Sequence, residues 1–307
     1  MPEFFNVLPP DKARALLLRH LKEVLPPVTM ATDAALGRVT AVPILSPQPL
    51  PAFRRSTMDG YAVRAADTFG ASSSLPAFLS VTGEVPMGQP ADLNLEPGQA
   101  ALVHTGGMIP QTADAVVQVE LTQVVGSDAL PQTPFEIEVF KAVAAGENVL
   151  QIGEDVRPGA EVLPQGHLLR PQDLGGLLAV GITKVDVTCR PRVAILATGD
   201  EVIPPDQQTK PGQIRDINSY TVAGQVRNAG GVPWLAGIIA DDFQALQAAA
   251  QDALAEADML VMSAGSSVSI RDMTVQVIEQ LGQPGVLFHG VATRPGKPTI
   301  VGVVGHK

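Results

Sequence analysis

Three acidic clusters in the second half of the sequence have the residue types of a site for a phosphorylated ligand. The first is Thr198-Gly199-Asp200-Glu201 and the second Asp241-Asp242. The third is the small-residue run Ser263-Ala264-Gly265-Ser266-Ser267-Val268-Ser269, with Asp272 just beyond it. Each follows an apolar, β-like run, so each falls at a strand end. Carboxylates at three strand ends of one sheet converge on one edge, where like charges repel unless a cation lies among them. Mg²⁺ prefers oxygen ligands and phosphate partners and is the economical choice. The Ser/Gly run adds backbone N–H groups and hydroxyls at a helix N-terminus, which favour an anion. Arg294-Pro295-Gly296-Lys297-Pro298 then supplies two cations on a rigid turn, a plausible phosphate clamp. Plainer roles stay open for all of them. Asp241 or Asp242 can cap the helix that starts at Phe243, Asp272 the helix after it, and Glu201 can be solvated. The Ser/Gly run can be an ordinary turn, and the basic turn merely exposed.

The elements that must hold these clusters alternate. After Arg190-Pro191 the pattern predicts a strand over 193–197 and a helix over 220–228, closed by Gly230-Gly231. A strand over 233–239, a helix over 243–257, a strand over 259–263 and a helix over 273–281 follow. Three β-α units in a row predict a mostly parallel sheet with helices on its faces, and ligands bind outside the carboxyl ends of such strands. Upstream, the apolar spacing of Leu16, Leu17, Leu21 and Val24 predicts a helix over 11–25, entered from Pro9-Pro10 and ended by Pro26-Pro27. A short helix over 33–38 and a Pro-rich stretch over 43–51 come next. Between 62 and 144, β-like runs at 78–82, 100–104, 115–121 and 135–143 are separated by turns such as Pro97-Gly98, which predicts a β-rich, barrel-like domain. A strand at 162–164 and a helix over 168–180, ending at Gly181, complete the reading.

With 307 residues the chain can build two or three cores, and with 45% hydrophobic and 17% charged residues it is globular. Aromatics are only 4%, too few for a base-stacking surface. Lys and Arg total 21 against 31 Asp and Glu, a net charge of -10 that repels nucleic acid and anionic lipid, so neither is an expected partner. The single cysteine, Cys189, excludes an internal disulfide and a Cys-based zinc cluster. The five histidines have no metal-ligand spacing. Met1-Pro2-Glu3-Phe4-Phe5 lacks the basic and apolar regions of a signal peptide, and no run approaches the ~18 apolar residues of a membrane span. A cytoplasmic location is the expectation.

Six segments in order resemble the MoeA/gephyrin E-domain family of molybdopterin molybdenumtransferases. Ser56-Thr57-Met58-Asp59-Gly60-Tyr61-Ala62 resembles its S-x-M-D-G-Y-A segment. Thr105-Gly106-Gly107-Met108-Ile109-Pro110, followed by Asp114-Ala115-Val116-Val117, resembles its T-G-x-x-x-P and D-A-V-V segments. Gly153-Glu154-Asp155 and Thr198-Gly199-Asp200-Glu201 match G-E-D and T-G-D-E, and the runs from Gly265 to Asp272 and from Arg294 to Pro298 match the last two motifs. The resemblance implies a multidomain fold. A linker domain would comprise 1–50 and 150–188, a β-rich domain 51–149, and a three-layer α/β molybdopterin-binding domain 189–307. It also implies a homodimer, with the β-rich domain of one subunit over the α/β domain of its partner.

The implied reaction is Mg-dependent insertion of molybdenum, from molybdate, into adenylylated molybdopterin with release of AMP. The family's functional acids fall on Asp59, Asp155, Glu201, Asp241 and Asp272. Glu201, Asp241 and Asp272 are the implied Mg ligands, and Thr105, Ser263, Gly265, Ser267, Arg294 and Lys297 the ligand-binding set. Three departures stand out. Leu150 occupies a position that is often Arg, and the loop from Ser263 to Ser269 lacks two of the family's glycines. The family would also continue beyond Lys307 with the rest of the α/β domain and a C-terminal β-domain, so an unpaired strand edge is expected around 299–304. A non-catalytic molybdopterin-binding scaffold or inactive truncated homologue is the alternative. A lone α/β enzyme acting on molybdopterin or a nucleotide would lack the Asp59 and Thr105 segments.

Overall fold

The structure is a computed structural model that describes residues 7–21, 25–126, 134–263 and 268–307, with side chains in the last stretch from residue 273 onward. The helices are α1 (Pro10–Leu18), α2 (Pro171–Ala179), α3 (Asn218–Asn228), α4 (Phe243–Glu256) and α5 (Val268–Leu281). The chain divides into two compact units. One comprises Met1–Thr29, Gly37–Ala41 and Asp186–Lys307, the other Met30–Leu36 and Val42–Val185.

The second unit is built on a six-stranded mixed sheet in the order Ala115–Gln118, Gly60–Val63, Gln99–Val103, Ala77–Glu84, Phe135–Val139, Thr122–Val124. Only the Ala77–Glu84 and Gln99–Val103 strands run parallel; every other neighbouring pair is antiparallel. Both faces are buried. Tyr61, Val63, Val81, Val117 and Ile137 pack into one cluster, and Ala62, Val103, Ile109 and Val116 into another. That arrangement explains why the Gly60–Val63 strand is absent from the sequence reading: all four residues are buried, so the polar-apolar alternation that marks a half-exposed strand is missing.

Four expected elements differ. The helix from Asp11 ends at Leu18, not at residue 25. Only Ala13 is buried along it, so there is little apolar face to reward its extension. No α-helix forms over 33–38. A single tight turn, Thr32–Ala34, is pinned by the buried Thr32 hydroxyl, which donates to Ile182 O at 2.8 Å, and Gly37 at φ +70° then ends any helical path. The helix expected from 168 begins at Pro171, whose fixed φ suits the first helical position. Asp173 closes the first turn by accepting from Arg170 N at 2.8 Å. The Arg170 guanidinium beside Asp173 holds that carboxyl well below the usual carboxylate range, more strongly than burial opposes it. The helix expected from 273 already starts at Val268.

In the first unit, three parallel strands lie in the order Val232–Ile239, Arg192–Thr198, Met259–Ser263. Val193 to Thr198 are all buried in the central strand. Ala194 and Leu196 pack with Leu246 and Ala250 of α4 and Val277 of α5, each large apolar side chain contributing about 1.5–3 kcal/mol. α3 packs against the Arg192–Thr198 and Val232–Ile239 strands. Ile300–Val304 pairs antiparallel with Pro284–His289, so one edge of the segment expected to be unpaired is in fact a hairpin.

Candidate active site

In the first unit the described strand ends bring Asp200, Glu201 and Asp241 together. The Arg192–Thr198 strand runs into Gly199, whose N–H donates to Ile239 O at 3.2 Å. This ties the Asp200-Glu201 turn to the end of the neighbouring strand. Gly199 has φ +139°, and a Cβ there would meet Glu201 Oε2 at 2.7 Å, so the Glu201 carboxylate lies folded against this glycine. Asp241 N donates to Asp200 Oδ1 at 3.2 Å. Asp241 Oδ1 is buried and has no hydrogen-bond partner among the described residues. Burial, followed by the Asp200 and Glu201 charges, raises the Asp241 pKa, against a smaller lowering by its backbone hydrogen bond to Asp200.

The neighbouring acid has the plainer job. Asp242 is the N-cap of α4 and accepts from Ala245 N at 2.8 Å. Thr198 Oγ1 donates to Ser263 O at 3.4 Å, which ties the first strand end to the third. Gly265 and Ser267 lie outside the described residues. Asp272 falls five residues into α5, within the helix and not ahead of it as a cap; its side chain lies outside the description. Among the described residues no group of three or more His, Cys, Asp or Glu side chains is arranged to hold a metal ion.

Arg294 and Lys297 are exposed and form no ion pair with a described residue. The turn between them is anchored. Val291 N donates to Lys297 O at 3.0 Å and Thr299 N to Gly296 O at 3.2 Å. Two cationic side chains thus stand on an anchored backbone with no carboxylate partner among the described residues.

The raised pKa of Asp241 has a consequence for stability. A carboxyl whose folded pKa lies above its unfolded value destabilises the fold while it is ionised. The cost is present above the folded pKa and vanishes below the unfolded one. Asp241→Asn is expected to stabilise the metal-free protein at pH 7–8, with no gain near pH 3. Thermal melting across that pH range measures it; a gain that persists undiminished in acid contradicts the ionised-carboxylate cause.

In the second unit, Asp59 and Thr105 meet across 46 residues of sequence: Thr105 N donates to Asp59 Oδ1 at 2.8 Å. Two residues that the sequence reading missed join them. His104 Nδ1 lies 4.0 Å from Asp59 Oδ1, and its Nε2 lies 2.9 Å from Glu84 Oε1. His104 is adjacent to Thr105 in sequence, but Glu84 ends a different strand and only the sheet brings it there. Arg54, just ahead of the first motif, and Asp114 of the D-A-V-V segment hold the backbone. Arg54 donates to Pro110 O, Gln111 O and Ala113 O, and Asp114 Oδ1 accepts from Ala65 N.

Asp155 is exposed and lines a separate cavity of about 570 Å³, shared with Glu154, Arg157 and Asp173. Leu150 pairs with Arg55 across the antiparallel register, which puts a guanidinium on the same face as the leucine.

Comparison with known proteins matches both parts of the chain. Residues 8–181 match the family model for the MoeA N-terminal region (domain I and II), and residues 194–307 that for a probable molybdopterin binding domain. A molybdopterin molybdenumtransferase of Nostoc is 36% identical over 87% of this chain and 59% of its own length. One from Haemophilus influenzae is 34% identical over 95% of this chain and 69% of its own. The crystal structure of a molybdopterin biosynthesis MoeA protein from Pyrococcus horikoshii superimposes with a TM-score of 0.81 at 38% identity, over 98% of this chain and 73% of that one. Among the described residues no helix is long and apolar enough to cross a membrane.

Proposed function

The chain belongs to the MoeA family of molybdenum cofactor biosynthesis proteins, and from that premise we propose that the complete protein inserts molybdenum from molybdate into adenylylated molybdopterin, releasing AMP. The observation that carries this reading is Asp241: a carboxylate with a buried, unpaired oxygen, held against Asp200 and beside Glu201 at the carboxyl ends of parallel strands. All the donors there are oxygens, which suits a hard divalent cation. A Mg²⁺ bound by Glu201, Asp241 and Asp272 would neutralise the charge of the phosphate oxygens.

The side chains divide the remaining work. Arg294 and Lys297 bind the phosphates of an anionic substrate that the global charge of -10 would otherwise repel. Ser263, Gly265 and Ser267 add hydrogen-bond donors. Glu201 takes a proton from the water whose oxygen attacks the adenylate phosphorus; that oxygen stays in AMP, and the phosphate of molybdopterin is the leaving group, keeping the bridging oxygen of the broken P–O bond. Asp59 fixes Thr105 and leaves its hydroxyl for the ligand, Asp155 supplies a further acid, and Arg55 offers the cation that Leu150 lacks. The working species is a cytoplasmic homodimer, which sedimentation of the complete chain would show as twice the chain mass.

The test is AMP release by the complete protein from adenylylated molybdopterin with molybdate and Mg²⁺, followed chromatographically. No AMP above the enzyme-free control overturns the reading. The clamp has its own test. Lys297→Ala is expected to weaken binding of the phosphorylated pterin about tenfold at low ionic strength, and less at 0.5 M salt, where screening shortens the reach of the charge. Unchanged affinity at low salt would remove Lys297 from the binding set.

A further inference from the structure

A cavity of about 480 Å³ in the first unit lies beside the segment after Glu201 and the start of α3. Its walls include Ile195, Pro204 and Leu235, with the half-exposed Tyr220 also in the lining. Two polar side chains interrupt that apolar lining. Asp216 is 8% exposed and Ser219 3% exposed. Asp216 Oδ1 accepts from Ser219 N at 3.0 Å, which caps the first turn of α3. Ser219 Oγ is buried and has no hydrogen-bond partner among the described residues. A hydroxyl buried without a partner is costly unless something else satisfies it.

The part of the lining given by the Val232–Ile239 strand is irregular. Leu235 pairs with Ile195 and Gly237 with Leu196, so Ala236 is the extra residue of a bulge. Gly237 lines the cavity at φ +120°, and a Cβ there would meet nothing within 4 Å.

The chemistry of the polar pair selects the ligand. The Asp216 carboxylate already occupies the positive end of the helix, so a second anion is disfavoured and hydrogen-bond donors are favoured. A carboxylate accepts two parallel N–H bonds, and the neighbouring Ser219 hydroxyl can donate. The apolar lining suits the faces of a planar ring.

We propose that this cavity binds the 2-amino-4-oxopyrimidine edge of a bicyclic heterocycle, with Asp216 accepting from the ring N3–H and the 2-amino group and Ser219 Oγ donating to the 4-oxo oxygen. Pterins and guanine share that edge. If the ring is a pterin, the inference rests on the molybdopterin reading above and gives the ring of that substrate its own seat, apart from the phosphate-binding cations.

The probes are 6-hydroxymethylpterin, guanosine and lumazine, which carries a second oxo group in place of the 2-amino group. None has a phosphate or dithiolene, so none depends on Arg294 or Lys297. Titration of the complete protein should show pterin bound at least tenfold more tightly than lumazine. Asp216→Asn keeps an oxygen to cap α3 but exchanges one acceptor for a donor, so it should reverse the preference towards lumazine. Ser219→Ala should weaken both ligands several-fold. A merely structural Asp216 would weaken both ligands equally or neither, and that result overturns the proposal. Binding of none of the three probes also overturns it, while AMP release would still decide the wider reading independently. Guanosine bound and pterin not bound would keep the edge recognition and exclude the pterin as its source.

Discussion

Glu201→Gln is expected to lower turnover of the complete protein by roughly 10²–10⁴-fold while leaving the affinity for adenylylated molybdopterin within about twofold. The backbone of Glu201 is held independently of its side chain. Its carbonyl accepts from Ile214 N at 2.8 Å, and the following residues, Val202 and Ile203, pair with Ile214 and Arg215. Gln has the same shape and keeps that framework, but it cannot accept a proton or offer a full negative charge. A second readout separates a chemical role from a structural one. The Glu201 charge is among the causes that raise the Asp241 pKa, so removing it should let Asp241 ionise at lower pH. The acidic limb of any residual activity should move down accordingly. Equal losses of binding and turnover, with an unmoved pH profile, would make Glu201 a structural residue.

The largest expected effect on the fold comes from one added methyl group. Gly60→Ala would place a Cβ 1.9 Å from Val117 O, a contact with backbone and not with a flexible side chain. Neither neighbour can retreat. Gly60 pairs with Val103 on one side and Gln118 on the other, and Tyr61 with Leu102 and Val117, in a strand buried on both faces. The strand must shift or lose pairing, at a cost of about 3 kcal/mol or more. Because Asp59 is the next residue back, the displacement should also break its hydrogen bond to Thr105 N and abolish activity secondarily. Asp59→Asn is the control, since it retains an oxygen for Thr105 N and should melt close to wild type. Urea unfolding of both variants distinguishes the cases; a Gly60→Ala midpoint equal to wild type would show that the sheet can relax around the methyl.

The β-α alternation of the first unit was legible because its signals are local. The Met259–Ser263 strand lies where the apolar run predicts it, and the Phe243–Glu256 helix ends within one residue of its expected bound. Helical and strand periods are set by neighbours a few residues apart, and the turn glycines that punctuate them are visible one at a time. The ordered motifs likewise pointed to the family from the chain alone.

What the residues of those motifs do was another matter. From the sequence, Asp241 and Asp242 were equal candidates for capping. The fold gives the cap to Asp242 and leaves Asp241 with an unpaired oxygen against Asp200. Asp59, Glu84 and His104 carry no common spacing and meet only because three strands align their ends. The orphaned hydroxyl of Ser219 has no sequence signature at all. The sequence by itself determined the β-α alternation of the first unit, the β-rich character of the second, the acidic balance and the family. The tertiary structure alone decided which carboxylates face one another, which are spent on caps and which cavities they line, because those outcomes depend on register and burial between segments tens of residues apart, where no local period reaches.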